Sequence, residues 1–232
     1  MKTTHKKTLN DKKPFFLIVL LVVFLAQPGA GQDDGSPEEL FRKGSALIEK
    51  HCGECQSASR EGLEEGQKLI ERALERGYSD RVAALRQLED AQAQIAFVFA
   101  QPDSPDQARA LAEQKRLLAE LVELEADDPE LLMSYALIAG PEASRKALER
   151  ILALDSDHQE ALFALGLRDV QHGDTDAGLE RMERAFRLAL TEEASRDAEY
   201  YGSRLLWTLQ ALDRDTEAEN ISQQLQQLET QR

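Results

Sequence analysis

An all-α fold is what the sequence predicts, and three observations carry it. The chain of 232 residues is rich in Ala, Leu, Glu, Gln and Arg, residues that lose little on entering a helix. Nowhere do β-branched and polar residues alternate as a half-buried strand requires. Small and large residues recur instead in one order, clearest from Ala161 to Leu190: Leu162, Leu165 and Gly166, then Gly173, then Gly178, Met182, Ala185 and Phe186. That order describes two amphipathic helices hinged at Gly173, whose axes approach where side chains are small. Corresponding residues return at spacings of roughly thirty through the C-terminal half, the mark of a stacked array. The expected architecture is an α-solenoid of antiparallel helix hairpins, about ten helices after an N-terminal apolar segment.

The N-terminus reads as a targeting element. Lys2, Lys6, Lys7, Lys12 and Lys13 precede an uninterrupted apolar run, Phe15 to Ala26, and the helix-breaking Gln27 to Gly31 follows. The run is shorter than the about 20 residues a membrane-spanning helix needs. Residues 1–31 are therefore expected to be a secretory signal peptide, with a short signal anchor kept in the inner membrane as the alternative. No cysteine follows the run directly, which argues against a lipoprotein. On either expectation the remainder is exported, to the periplasm or beyond. Residues 32–35 form a short polar linker.

The helices follow from their start and stop signals. Ser36 caps a first helix that opens with Pro37, Glu38 and Glu39 and runs to about Lys50. A second covers about 60–76 and stops at Gly77, and a third covers about 79–100, with Val82, Leu85, Leu88, Ile95 and Val98 on its apolar side. Pro102 breaks it; Ser104 and Pro105 start a fourth that reaches about Ala126. Asp128 and Pro129 open a fifth, closed by Gly140, and Pro141 opens a sixth that reaches Leu154. Asp155, Ser156 and Asp157 are expected to cap a seventh, ending at His172 and Gly173. An eighth spans about 174–190, a ninth about 194–212, and a tenth follows Asp213 to about Leu228. Residues 36–126 hold degenerate hairpins with a CxxC turn, and residues 127–232 hold clearer repeats. Tyr135, Gly166 and Leu206 share one slot of the first helices, and Ala147, Gly178 and Ala218 one slot of the second.

Leu162, Leu165–Gly166, Gly173, Gly178, Met182 and Ala185 together resemble the tetratricopeptide repeat family. Asp169 stands where that family has an aromatic residue, and the exit proline is missing. The unit before it is similar through Tyr135, Ala147, Ile151 and Leu154, and the last through Leu205–Leu206, Leu209 and Ala218. The resemblance implies a right-handed solenoid whose first helices line a concave, partner-binding groove. Transferred by register, it puts Leu132, Ala136, Phe163, Leu167, Ser203 and Trp207 along that groove, with Phe163 and Trp207 as aromatic anchors. Members that clamp a C-terminal carboxylate carry Lys and Asn at such positions. This chain has apolar residues there, so that ligand is not expected.

Charge narrows the partners. The formal net charge is −15, and loss of residues 1–31, with five Lys and one acid, leaves −19. Such a surface repels phosphate backbones, so no nucleic-acid partner is expected. It also offers no basic patch to anionic lipid, whereas a basic protein partner remains compatible with it. A Gly-rich phosphate loop, GxSxG and HExxH are all missing from the sequence. No enzymatic activity, cofactor or metal is expected.

The one sharp motif is Cys52-Gly53-Glu54-Cys55, after His51 and before Gln56. In an exported chain with no other cysteine, a local disulfide stapling the turn is the first expectation. A redox-active dithiol, a metal site and haem attachment are the others. Gly44 to Cys55 resembles the haem-binding start of a c-type cytochrome, but Gln56 stands where the iron-ligating His must be. A structural zinc site needs about four ligands, and His51, Cys52 and Cys55 supply three. The CxxC-Gln stretch, with Gly77-Tyr78-Ser79 after the next helix, is also similar to the thiol-handling subunit of cytochrome c maturation; Lys50-His51 replaces the usual Leu-Arg.

The function expected is therefore that of an exported scaffold in the cell envelope, binding a partner protein or peptide through its concave face. A thiol–disulfide accessory role in cytochrome c maturation, using Cys52 and Cys55, is the alternative. A structural or homo-oligomerising module is a second, and membrane anchoring through Phe15 to Ala26 is compatible with all three.

Overall fold

Ten α-helices and a single π-helical turn, with no strand, build the described residues of the computed structural model, which are 35–53, 57–191 and 195–230. The apolar run Phe15 to Ala26 and Cys55 lie outside them, and with them the expected signal or anchor and the expected cystine. The helices are α1 (Pro37–Lys50), α2 (Arg60–Glu75), α3 (Arg81–Gln94), α4 (Pro105–Leu124), α5 (Pro129–Ile138), α6 (Pro141–Leu154), α7 (Gln159–His172), α8 (Thr175–Thr191), α9 (Ser195–Ala211) and α10 (Asp215–Thr230). All belong to one folded unit, Gly35–Arg232. No described helix is long and apolar enough to cross a membrane.

Local chemistry sets each boundary. Ser36, Ser59, Asp80, Ser104 and Asp128 accept a backbone N–H in the first turn of α1 to α5, satisfying donors that have no partner inside the helix. Proline occupies the first turn of α1, α4, α5 and α6. The cap of α7 corrects the sequence expectation. It is His158 rather than the preceding Asp155–Asp157 stretch, and its Nδ1 accepts the Ala161 N–H at 3.3 Å. Gly77 and Gly173 end α2 and α7 at φ 91° and 98°. The next residue's N–H then turns back to the last helical turn, Tyr78 to the Ala73 carbonyl and Asp174 to that of Asp169.

The third helix also departs from expectation. Its last turn, Ile95–Phe99, widens into a π-helix, with the Ala100 N–H reaching the Ile95 carbonyl at 2.8 Å. The Ala96 carbonyl accepts the Gln107 Nε2–H from α4 at 3.1 Å. A side chain from the neighbouring helix thus supports the bulge.

Consecutive helices pair as α1/α2, α3/α4, α5/α6, α7/α8 and α9/α10, and each hairpin packs on the next through α2–α3, α4–α5, α6–α7 and α8–α9. The core runs the length of this stack. One cluster spans α1 to α5 around Leu63, Ile70, Leu117 and Leu121. A second links α5 to α7 around Leu132, Leu148 and Ile151, and a third spans α7 to α10 around Met182, Phe186 and Leu205. Val122 and Tyr135 join the first cluster to the second, and Leu152 joins the second to the third. Each hairpin thus buries its apolar stripe against its neighbours alone, the energetic signature of a solenoid.

Candidate functional site

The first helices of the last three hairpins present one continuous groove. On α7 the residues Glu160, Phe163, Ala164, Leu167, Arg168 and Gln171 recur every three or four positions, so helical geometry places them on one face. On α9 the same periodicity puts Asp197, Tyr200 and Tyr201 beside them, and Leu137 joins from the end of α5. Together these residues line a concavity of ≈ 690 Å³. On the opposite side of α9, Gly202 allows close packing on α8 and α10: a Cβ there would lie 2.7 Å from both Phe186 and Leu225.

The groove combines a buried aromatic floor with exposed apolar walls. Phe163 and Tyr201 are buried, with ring centroids 4.9 Å apart and an interplanar angle of 35°. Tyr200 lies 5.5 Å from Tyr201 and 5.9 Å from Phe163, at 64° and 52°. Leu137, Tyr200 and Trp207 are 68%, 56% and 62% exposed, which is unusual for side chains of that size. The Arg204 guanidinium lies 5.9 Å from the centroid of the Trp207 ring.

Charge is distributed unevenly along the groove. Burial, then the nearby Glu160 and Asp197 carboxylates and Tyr200, push the Tyr201 phenol up to about 12. Arg168 lines the same groove but donates its Nη2–H to the Ala136 carbonyl at the end of α5, 3.3 Å away. One end is therefore acidic and aromatic, and the other carries a cation already engaged by the backbone.

The residues transferred from the repeat register separate into three groups. Phe163 and Leu167 line the groove, Phe163 as its floor. Ser203 and Trp207 are exposed on α9, three and seven residues beyond Tyr200 and hence on its face. Leu132 and Ala136 are buried, 1% and 2% exposed, in the core of α5 against α6. There the Ser144 hydroxyl donates to the Ala136 carbonyl at 2.5 Å, and Leu137, one position further, takes the groove place. Sequence reasoning did not single out Leu137, Glu160, Asp197, Tyr200 or Tyr201. The helical spacing of Tyr200, Ser203 and Trp207 is the signal that would have found the α9 members.

Asp169 explains its own departure from the repeat pattern. It is 2% exposed and holds Arg145 of α6 and Arg181 of α8 at once. An ionic clasp between adjacent hairpins stands where an aromatic residue would pack.

The segment that follows α1, His51 to Gly53, is docked on the solenoid. The Gly53 N–H donates to Gln94 Oε1 at 2.9 Å, and a Cβ on Gly53 would lie 2.8 Å from Val98 of the π-helical turn. The His51 ring covers Gly62, with Nδ1 2.6 Å from the Ser57 carbonyl and 3.0 Å from the Ser59 hydroxyl. Among the described residues no three His, Cys, Asp or Glu side chains converge on a metal-sized site. The other concavities hold charges that pair internally. Arg60 pairs with Asp106, and Arg116 with Glu113, between α2 and α4; Arg214 pairs with Asp176 and Glu217 between α8 and α10.

No protein-family model matches the chain, and no curated protein does. Solved structures do. A crystal structure of MamA protein superposes at a TM-score of 0.60 and 16% identity, covering 84% of this chain and 92% of that one. MamA 41-end from Desulfovibrio magneticus RS-1 gives 0.59 and 16%, covering 85% and 98%. A MamA RS-1 ArsTM double mutant gives 0.58 and 17%, covering 85% and 97%. At these identities the likeness is one of fold: the chain is an all-α solenoid of the tetratricopeptide-repeat type.

Proposed function

We propose that this chain is a protein-interaction scaffold that receives a segment of a partner along the groove between α7 and α9, and that it works outside the cytoplasm, in the cell envelope. The observation that carries the scaffold role is the pair of exposed residues Leu137 of α5 and Tyr200 of α9 lining the groove on either side of α7, continued along α9 by exposed Trp207, beside a buried aromatic floor. Large apolar side chains held in water at the mouth of a concave surface gain by being covered, and aromatic residues dominate such contacts. The solenoid fold shared with the MamA structures supports the same role. The lysines before Phe15 to Ala26 support export.

The test is a crosslinking pull-down from the envelope, comparing wild type with a Leu137→Glu/Tyr200→Glu/Trp207→Glu variant. All three residues are exposed, so the thermal unfolding transition should stay in place while partner recovery falls at least about tenfold. Unchanged recovery by a folded variant would sink the groove. A periplasm-dependent reporter fused after Arg232 tests export separately; activity that needs residues 1–31 is the expected result, and a reporter active only in the cytoplasm contradicts it.

A further inference from the structure

We propose that the Glu160–Asp197 end of the groove, walled by Phe163, Tyr200 and Tyr201, is a pocket for a cationic side chain, an arginine or lysine of the bound segment. The proposal rests on the scaffold role above and names the chemistry its ligand carries. Two carboxylates face the groove from adjacent first helices, and neither forms an ion pair among the described residues. Elsewhere on the chain, surface acids such as Glu113, Glu120, Asp106 and Asp157 are held by arginines. The nearest arginine of the groove, Arg168, is turned to the Ala136 carbonyl instead.

The aromatic walls point the same way. The three rings pack on one another, with centroids 4.9 to 5.9 Å apart at 35° to 64°, and leave Tyr200, 56% exposed, as the ring open to the groove. The negative face of an aromatic ring attracts a desolvated cation, and a guanidinium can also stack on it. Tyr201 is 8% exposed, and its hydroxyl has no hydrogen-bond partner among the described residues. An N–H of an incoming cation would donate to that oxygen. A net charge of −15 draws a basic segment toward the surface before contact.

The experiment uses the full chain and two fluorescent peptides of alternating leucine and arginine, one of them with every arginine replaced by its neutral isostere citrulline. Fluorescence anisotropy should show the arginine peptide binding about tenfold tighter to wild type. In Glu160→Gln/Asp197→Asn the two peptides should bind within twofold of each other, with citrulline binding unchanged. Glu180→Gln/Glu183→Gln on α8, which removes the same charge outside the groove, should leave the preference intact. Equal binding of both peptides to wild type, an undiminished preference in Glu160→Gln/Asp197→Asn, or an equal loss in the α8 variant would each overturn the cation pocket. If both peptides bind wild type equally and both are lost in Leu137→Glu/Trp207→Glu, the pocket falls and the groove stands. If neither peptide binds at millimolar concentration the pocket also falls, and the envelope pull-down decides the groove on its own.

Discussion

Gly166 of α7 and Gly178 of α8 meet backbone to backbone: a Cβ on either would stand 2.6 Å from the other's carbonyl oxygen. Gly44 of α1 and Gly66 of α2 make the same reciprocal contact, at 2.7 and 2.8 Å. The first and fourth hairpins are therefore built alike, although their paired glycines lie 22 and 12 residues apart in sequence. Of the ten additional residues of the first hairpin, seven fall between its helices (51–59 against 173–174) and three at the start of α2, where Gly66 stands six residues after Arg60 and Gly178 three after Thr175.

Adding a methyl group at these contacts should cost stability even though alanine is the better helix former. Overpacking costs about 1–3 kcal/mol, against about 1 kcal/mol gained by removing a mid-helix glycine. Gly178→Ala and Gly66→Ala should each lower unfolding free energy by about 1–2 kcal/mol in urea titrations. Gly140→Ala, in open space at φ −67°, should stay within about 0.5 kcal/mol of wild type. A Gly178→Ala protein as stable as wild type would contradict the close approach.

Asp169 should behave as a clasp between hairpins. Removing its carboxylate leaves Arg145 and Arg181 facing each other without their anion. Breaking a fully buried pair costs about 3–5 kcal/mol. Both arginines are about a third exposed, so water lowers that to about 2 kcal/mol for Asp169→Ala. Asp169→Phe, which restores the aromatic residue of the repeat pattern, should not recover the loss, because no anion then bridges the two guanidinium groups; Arg145 keeps only its exposed partner Glu149, 3.7 Å away. Chemical denaturation of the two variants checks this.

Two carboxylates give stability opposite pH slopes. Burial holds Glu89 above the ordinary glutamate range, partly offset by the Gln114 Nε2–H that it accepts at 2.7 Å. The folded state then binds this proton more readily than the unfolded chain, so its ionisation lowers stability as pH rises through the folded value. Asp128, held low mainly by the Arg86 guanidinium, stabilises above the ordinary aspartate range, and that contribution is lost as pH falls through its depressed value. Glu89→Gln should therefore be more stable than wild type at neutral pH, by up to about 1 kcal/mol. The difference should vanish on acidification toward the ordinary glutamate range. Asp128→Asn should be less stable at neutral pH and converge with wild type only in stronger acid.

The docked turn offers a local readout. Gln94→Ala removes the acceptor of the Gly53 N–H, a contribution of about 1 kcal/mol. Hydrogen exchange at Gly53 should then quicken roughly fivefold while core amides such as that of Ile70 keep their protection. Unchanged exchange at Gly53 would show that Gln94 does not hold the turn.

The helices were legible because their signals are local. Ser36–Pro37, Asp128–Pro129 and Gly173 act on backbone groups within one turn, and sequence alone places the ends of α1, α5 and α7 within a residue or two. The groove was only partly legible because it depends on contacts between helices. Register transfer reached Phe163, Leu167 and Trp207, yet it put Leu132 and Ala136 on a face that the short α5 turns into the core. Asp169 looked like a flaw in the pattern because its two arginines come from other helices, Arg145 from α6 of the preceding hairpin and Arg181 from α8. Tyr201 and Asp197 acquire meaning only once α9 lies against α7.

The most direct measurement is site-specific photo-crosslinking in intact envelopes, with a photoreactive phenylalanine placed at Tyr200 or Leu137 in the groove, or at Gln226 on the exposed side of α10. The expected result is the same partner adduct from both groove positions and none from Gln226. Adducts from Gln226 with none from Tyr200 and Leu137 would contradict the groove as the binding surface.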